Sequence, residues 1–311
     1  MARVVQLANF VSPTSGGIRT TLDALADGYR RAGHEVIQVL PGERDRVEGH
    51  RLVLRGRRLP GQPYRVLTDL GRVRTVVGNL RADRVELSDK TTLASTGPWR
   101  VPTVLLSHER IGAMLRPRIP AVVPERVLEA VGDVLNARLA QQADEVVCAS
   151  SYAAREWARV GVRPRVVPLG VDLDLFHPVA ADRRRVELVC VSRLSREKRP
   201  QVAIEVLARL REGGLDAALT ILGDGPQRAS LERAARGLPV RFAGHVPPEV
   251  VALRLAGADV AICPCPIESF GLAALEAMAC GTPVAVPAGG ALRELVEGGP
   301  AGAGAVDDDL A

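Results

Sequence analysis

Aromatic residues supply only 3% of this 311-residue chain: four Phe, three Tyr and two Trp. With so few stacking surfaces and no recognition motif, nucleic acid is not expected as a partner. No stretch of about 18 uncharged apolar residues occurs, so no transmembrane helix is expected either. Met1-Ala2-Arg3 runs straight into the apolar Val4-Val5-Gln6-Leu7, which leaves no room for a signal peptide. The five cysteines are an odd number and scattered; they read as reduced thiols of a cytoplasmic protein. Cys263 and Cys265 have no second pair and no histidine beside them, so no metal site is expected. Two nucleotide fingerprints are missing as well. The opening βαβ pattern lacks G-x-G-x-x-G, its second strand runs into Pro41-Gly42 with no acid directly after it, and no Walker lysine is present. Dinucleotide enzymes and P-loop NTPases are thereby excluded, and no cofactor is expected.

What is present describes an ordinary globular protein: 47% hydrophobic, 25% charged and long enough for two cores. The net charge of +5 is uneven. Through Pro178 there are 26 Lys and Arg against 19 Asp and Glu; the remainder has 15 against 17. A basic first half suits an anionic partner such as a membrane surface or a phosphorylated acceptor, although scattered surface arginines would give the same count.

The most informative stretch lies near the C-terminus. Ala258–Cys263 reads as a short buried strand, and prolines at 264 and 266 end it. Phe270 to Cys280 reads as a helix with Ser269 as its N-cap, closed by Gly281-Thr282-Pro283 before a strand at Val284. The amides from Ser269 through Phe270 and Gly271 to Leu272 form a partial positive pole suited to phosphate. Glu268 precedes this pole and Glu276 lies a turn and a half inside. Two acids around an anion-binding pole suit a ligand with both phosphate and hydroxyls, such as a nucleotide sugar. On spacing alone, Glu268 could equally favour the helix dipole and Glu276 be a solvated face residue.

The same logic picks out other strand ends. Gly16-Gly17 stands at the mouth of the first helix, Ile18 to Arg31. His108 follows the strand Val101–Ser107, where open parallel sheets place ligands. Arg193 and Lys198 flank the turn after the strand Val186–Val191, where a guanidinium and an ammonium together suit a diphosphate. An exposed basic turn is the plainer reading of that pair, as a core histidine is of His108. Residues 114 to 142 are amphipathic and are expected to be a core-facing helix, with lipid contact the alternative. Strand and helix patterns alternate through both halves, which predicts doubly wound α/β domains.

These motifs together resemble the retaining glycosyltransferases of family 4 (GT4), which have the GT-B fold. Glu268 and Glu276 match the E-x7-E pattern within E-S-F-G-L-A-A-L-E-A-M-A-C-G-T-P-V. Arg193-Leu194 with Lys198 resembles R-L-x-x-x-K. Pro168 to Pro178 resembles the interdomain crossover P-x-G-V-D-x-x-x-F-x-P. The closest likeness is to actinobacterial GDP-mannose-dependent α-mannosyltransferases that glycosylate membrane lipids. The resemblance implies two Rossmann-like domains facing a cleft, 1–178 for the acceptor and 179–311 for the donor, with the second truncated at a Gly/Ala-rich end. It implies that Arg193 and Lys198 hold the leaving diphosphate and that Glu268, the amides of Ser269 to Leu272 and Glu276 bind donor sugar and ribose. It further implies that His108 contacts the sugar, and that Gly16 and Gly17 approach donor phosphate or acceptor. The expected reaction is hexose transfer, mannose from GDP-mannose, to a lipid or glycolipid acceptor by a cytoplasmic enzyme in peripheral contact with an anionic membrane. The rivals are a family member using a UDP- or ADP-sugar, an epimerase or hydrolase on the same scaffold, and a non-catalytic nucleotide-sugar-binding protein.

Overall fold

Apolar strands surrounded by helices build two sheets, each with its own core. The computed structural model describes all residues except 10–16, 60–63, 117–118, 121, 181–184 and 311, and the side chains of 114 and 309. Gly16 therefore lies outside the described residues. Two compact units divide the chain, Met1–Pro168 and Leu169–Ala311. The Leu169–Pro178 stretch falls in the second unit, where Phe176 is buried and packs with Val189, Ala252 and Ala277.

The first unit contains strands β1 (Arg3–Leu7), β2 (Glu35–Gly42), β3 (Arg46–Glu48), β4 (Arg51–Arg55), β5 (Arg57–Arg58), β6 (Arg65–Val66), β7 (Arg84–Leu87), β8 (Thr103–Ser107), β9 (Glu145–Cys148) and β10 (Arg165–Val166). Eight of them form one sheet in the order β10-β9-β8-β7-β1-β2-β4-β3, parallel except for β3 against β4. β5 and β6 pair separately. Val5, Leu7, Val85, Leu87 and Leu105 are fully buried, as strands covered on both faces require. Chain order reverses between β1 and β7, so the C-terminal ends of those two strands open the crevice where such sheets bind ligands. Short helices start at well-made caps: Asp89 accepts the Thr92 amide at 2.8 Å and Ser150 the Ala153 amide at 3.1 Å.

The second unit is a six-stranded parallel sheet of β11 (Val186–Val191), β12 (Ala217–Leu222), β13 (Val240–Gly244), β14 (Val260–Ile262), β15 (Val284–Pro287) and β16 (Gly304–Asp307), ordered β13-β12-β11-β14-β15-β16. Its reversal point lies between β11 and β14.

Three expectations need correction. The 114–142 segment is not one core-facing helix: a short helix Ile111–Leu115 precedes a separate helix Glu125–Ala140, as Pro117, Pro120 and Pro124 each remove an amide donor. The Gly/Ala-rich end, whose composition suggests an unfinished loop, is not merely loop, because Gly304–Asp307 forms β16 beside β15. Small residues suit that place: a Cβ on Gly304 would lie 2.2 Å from the Val284 carbonyl oxygen. The Ser269 cap is corrected below.

Glycines let the strand-end loops of the second unit touch backbone to backbone. A Cβ on Gly223, whose φ is +127°, would lie 2.0 Å from the Ser192 carbonyl oxygen, and one on Gly225 would lie 2.4 Å from that of Leu194. Gly223→Ala is therefore expected to destabilise the chain by more than about 1 kcal/mol, through both the clash and the backbone conformation. Urea denaturation measures this; an unchanged midpoint would contradict the close approach.

Candidate active site

The loops after β11 and β14 flank the reversal point of the second sheet, and an ion pair joins them. Lys198 Nζ donates to Glu268 Oε2 at 2.5 Å, with 27% and 22% of the two side chains exposed. Burial pulls the Lys198 pKa down, but the Glu268 charge, the Cys265 thiol and the hydrogen bond to Glu268 outweigh it and hold the ammonium above the usual lysine range. Lys198 stays protonated at any physiological pH.

Arg193 is set by its own turn. Its Nε donates to Ser195 Oγ at 3.2 Å and a terminal nitrogen pairs with Glu197, which also accepts from Ser195 Oγ at 2.8 Å. Burial raises the Glu197 pKa, yet the hydrogen bonds and the Arg193 charge prevail and hold it below the ordinary value. Leu194 fixes the turn from below: it is fully buried, its amide donates to the Asp224 carbonyl at 3.0 Å, and its carbonyl accepts from the Gln227 amide at 3.0 Å. Thus two cations, each with an acidic neighbour, stand together on one sheet edge.

The helix beyond Glu268 runs Leu272–Ala279. Its N-cap is Gly271, at φ +99° and ψ 56°, and not Ser269; no side chain caps the helix. Gly271 is required twice over, since its φ disfavours a side chain and a Cβ would lie 2.3 Å from Leu292 Cδ2. Among the described residues nothing accepts from the amides of Leu272 and Ala273, while those of Ala274 and Leu275 both donate to the Gly271 carbonyl. Two first-turn donors are thus available to a ligand, beside Lys198 and Glu268. Phe270 is buried under the same turn.

Gly289 and Gly290, not singled out from the sequence, hold the Glu268 loop from the other side. Cβ atoms there would lie 2.9 Å from the Pro266 and Glu268 carbonyl oxygens, and the Ala291 amide donates to Glu268 O at 2.7 Å. Glu197 was missed too. The acid inside Arg193-Leu194-Ser195-Arg196-Glu197-Lys198 and the diglycine at a strand end were the available signals.

Glu276 sits one and a half turns into the helix. Its carboxyl is half-buried, and burial alone pushes its pKa up to about 7. No hydrogen-bond donor faces it among the described residues.

In the first unit His108 follows β8, half-buried, with Nε2 buried and unpartnered among the described residues. Burial, only partly countered by Asp89, lowers its pKa to about 4, so the imidazole is neutral at pH 7. Around it the strand ends are polar and tightly made. Asp89 accepts from Ser88 Oγ at 2.7 Å and Thr92 Oγ1 at 2.6 Å. The buried Lys90 pairs with the buried Glu156 and lies over the Trp157 ring, whose Nε1 donates to Ser107 Oγ at 2.9 Å. Gly17 is exposed and begins the helix Gly17–Arg31. Among the described residues no three His, Cys, Asp or Glu side chains converge as metal ligands.

A family model described as Glycosyltransferase Family 4 matches residues 15–175, just over half of the chain, and one described as Glycosyl transferases group 1 matches 185–311. A GDP-mannose-dependent α-(1-6)-phosphatidylinositol dimannoside mannosyltransferase of Mycobacterium tuberculosis is 43% identical over 317 residues, covering 94% of this chain and 81% of the relative. The chain belongs to glycosyltransferase family 4. A phosphatidylinositol monomannoside mannosyltransferase of Mycolicibacterium smegmatis is 28% identical, covering 95% of this chain and 83% of that one. Among solved structures, sucrose-phosphate synthase from Thermosynechococcus elongatus matches with a TM-score of 0.78 at 19% identity, over 99% of this chain and 87% of that one. The Anabaena protein HepE in complex with UDP-glucose matches at 0.73 and 21% identity, over 100% and 88%. These likenesses establish the GT-B fold: the two Rossmann-like halves of this glycosyltransferase are those described above.

The half-buried Glu276 carboxyl gives a pH prediction. Its folded-state pKa near 7 exceeds the ordinary 4.5, so between those values the folded state keeps a proton that the unfolded chain has lost. Stability falls as pH rises through that window and stays lowered above it. Glu276→Gln should leave stability unchanged at pH 4.5 and raise it by up to about 3 kcal/mol at pH 8. Denaturant midpoints at the two pH values decide it; equal gains at both would remove the titration.

Proposed function

We propose that this glycosyltransferase moves mannose from GDP-mannose, with retention of configuration, to a glycolipid acceptor at the cytoplasmic face of a membrane. The observation that carries the reading is the cluster at the β11/β14 reversal: Arg193, Lys198, Glu268 and two unoccupied helix amides on one sheet edge. The donor and acceptor class in the name of the Mycobacterium tuberculosis relative favour GDP-mannose and a phosphatidylinositol glycolipid. Residues 1–178 carry the acceptor in this reading, and 179–311 the donor. No helix among the described residues is long and apolar enough to cross a membrane, and in this reading the contact with lipid is peripheral.

The chemistry follows from charge. The bond from the anomeric carbon to the diphosphate oxygen breaks, and a bond from the acceptor hydroxyl oxygen forms on the same face. The hydroxyl proton passes to the departing phosphate oxygen. Negative charge grows on the diphosphate during this step, and Arg193, Lys198 and the amides of Leu272 and Ala273 stabilise it more in the transition state than before it. An ammonium has three donors, so Lys198 can hold Glu268 and a phosphate oxygen together. Glu268 has Lys198 on one oxygen and accepts sugar hydroxyls with the other, positioning the ring without attacking it. The family resemblance also assigns His108, whose imidazole is neutral at pH 7, to a hydroxyl of the donor sugar. It assigns Gly16 and Gly17 to donor phosphate or acceptor and Glu276 to the ribose.

Arg193→Ala and Lys198→Ala are each expected to weaken GDP by roughly 1.5–3 kcal/mol, the worth of a lost charge-assisted hydrogen bond. Calorimetry with GDP, UDP and ADP measures it; unchanged affinity in both variants would remove the diphosphate assignment. Glu268→Gln should cut turnover while GDP binds as tightly as before or tighter, because GDP lacks the transferred hexose and Lys198 loses a competing partner. A thermal-shift panel of GDP-, UDP- and ADP-sugars tests the donor, since the ligand that binds the folded state raises its melting temperature.

A further inference from the structure

The helix Glu125–Ala140 turns an apolar face outward. Its buried positions are Leu128, Gly132, Asn136 and Leu139. At about 100° per residue, Val127, Ala130, Val131, Val134 and Ala137 share one sector of roughly 120° on the other side. All five are exposed, the valines by 44%, 50% and 56%. Val122, before the helix, is 85% exposed as well. A surface helix ordinarily shows the reverse, with its apolar stripe inward and charge outward.

Charge indicates what covers this face. Arg126 and Arg138 stand exposed at its two ends, and the sector between holds no acid. The acids Glu129 and Asp133 lie on the flanks and are engaged: Glu129 is within 3.7 Å of Arg110 and 3.6 Å of Arg159, and Asp133 is 2.8 Å from Arg159. Glu125 is exposed in the first turn but points about 160° away from Val127. The whole unit is basic, with 26 Lys and Arg against 17 Asp and Glu through Pro168. Area counts against a second copy of the chain. About 16 Å of helix roughly 10 Å wide offers on the order of 160 Å², against about 800 Å² per partner in a stable protein interface. A lipid surface needs neither that area nor a complementary shape; an apolar stripe with cationic ends is what it takes.

We infer that the Val127–Val131–Val134 face, with Arg126 and Arg138, is the surface by which the protein docks on an anionic bilayer. The inference rests on the glycolipid reading above and names the face that meets the membrane. Small side chains without aromatic anchors give shallow, reversible docking, which suits an enzyme that must leave one lipid for the next.

The test is sedimentation of the full chain with phosphatidylcholine vesicles, with and without phosphatidylinositol. The wild type should bind the anionic vesicles at least tenfold more tightly than the neutral ones. Val127→Ser, Val131→Ser and Val134→Ser combined should weaken that binding at least tenfold. Arg126→Glu with Arg138→Glu should abolish the preference for anionic lipid. Both variants should keep the wild-type melting temperature and GDP affinity, since the substituted residues are exposed and lie in the first unit. No binding by the wild type, or equal binding by both variants, would overturn the inference. So would a dimer that the serine variant dissociates while its vesicle binding persists. Docking that depends on this face without mannose transfer would sink the functional reading and leave the docking surface standing.

Discussion

Direct backbone contact, possible only at glycine, is the constraint on which the candidate site depends. Four loops leave the C-terminal ends of β11, β12, β14 and β15, and glycines pack them in pairs. Gly223 and Gly225 admit the carbonyls of Ser192 and Leu194. Gly289 and Gly290 admit those of Pro266 and Glu268, and Gly271 makes room for Leu292. A Cβ at any of these would move a carbonyl or a core side chain, and with it the turn that carries Arg193 and Lys198 or the loop that carries Glu268. The Lys198–Glu268 pair then spans two loops whose backbones are already fixed. Its distance is an outcome of the packing and not its cause, which is how a partly exposed ion pair keeps a defined geometry although such pairs contribute little by themselves.

The first unit solves a similar problem with buried hydrogen bonds. The helix Gly17–Arg31 buries only Thr21, Leu22 and Ala26, too little to fix its position by apolar contact alone. Beneath it a polar ladder crosses the sheet. Tyr29 Oη donates to Glu86 at 2.5 Å, Gln6 to Glu86 at 3.1 Å, and Gln38 to both Gln6 and Asp23 at 3.1 and 3.2 Å. Arg51 closes it on Gln38 and Asp23 at 3.0 and 2.7 Å. Burial and the neighbouring Glu86 push the Tyr29 phenol far above its usual range. Such a network tolerates only one register, because a slip leaves buried donors and acceptors without partners. The helix that begins at Gly17 is thereby fixed beside the ligand end of β1.

The doubly wound alternation and the grouping of Arg193, Lys198 and Glu268 were legible because strands such as Val186–Val191 and Ala217–Leu222 are apolar but for Glu187 and Thr220 and end in sharp turn residues. Helix starts were harder. Ser269 is a good capping residue by type, yet Gly271 at φ +99° takes the position because Leu292, distant in sequence, leaves no room for a Cβ. The Gly304–Asp307 strand was invisible for a like reason. Its residues have weak strand preference, and only the close approach to Val284 explains them. The exposed face of Glu125–Ala140 defeated the periodicity argument in the opposite sense. The helical spacing is real, but it has apolar residues on both sides, and a spacing rule cannot say which side the core takes.

Glu276 shows what such a site demands of the fold. A carboxyl pushed to about 7 by burial, with no donor facing it among the described residues, lowers stability at neutral pH. A ligand hydroxyl donating to it would stabilise the ionised form, so binding and proton release are linked, and affinity should climb as pH rises toward 7. The same reasoning covers the Leu272 and Ala273 amides of the second unit, first-turn donors for which the described residues supply no acceptor. Lys198 and Glu268 satisfy each other in the meantime, which keeps the two charges from being stranded at the sheet edge when no donor is present. This sheet edge of the second unit thus combines charges that are kept satisfied, Lys198 and Glu268, with groups that are left open, Glu276 and two helix amides, the mixture that the proposed nucleotide-sugar donor would require.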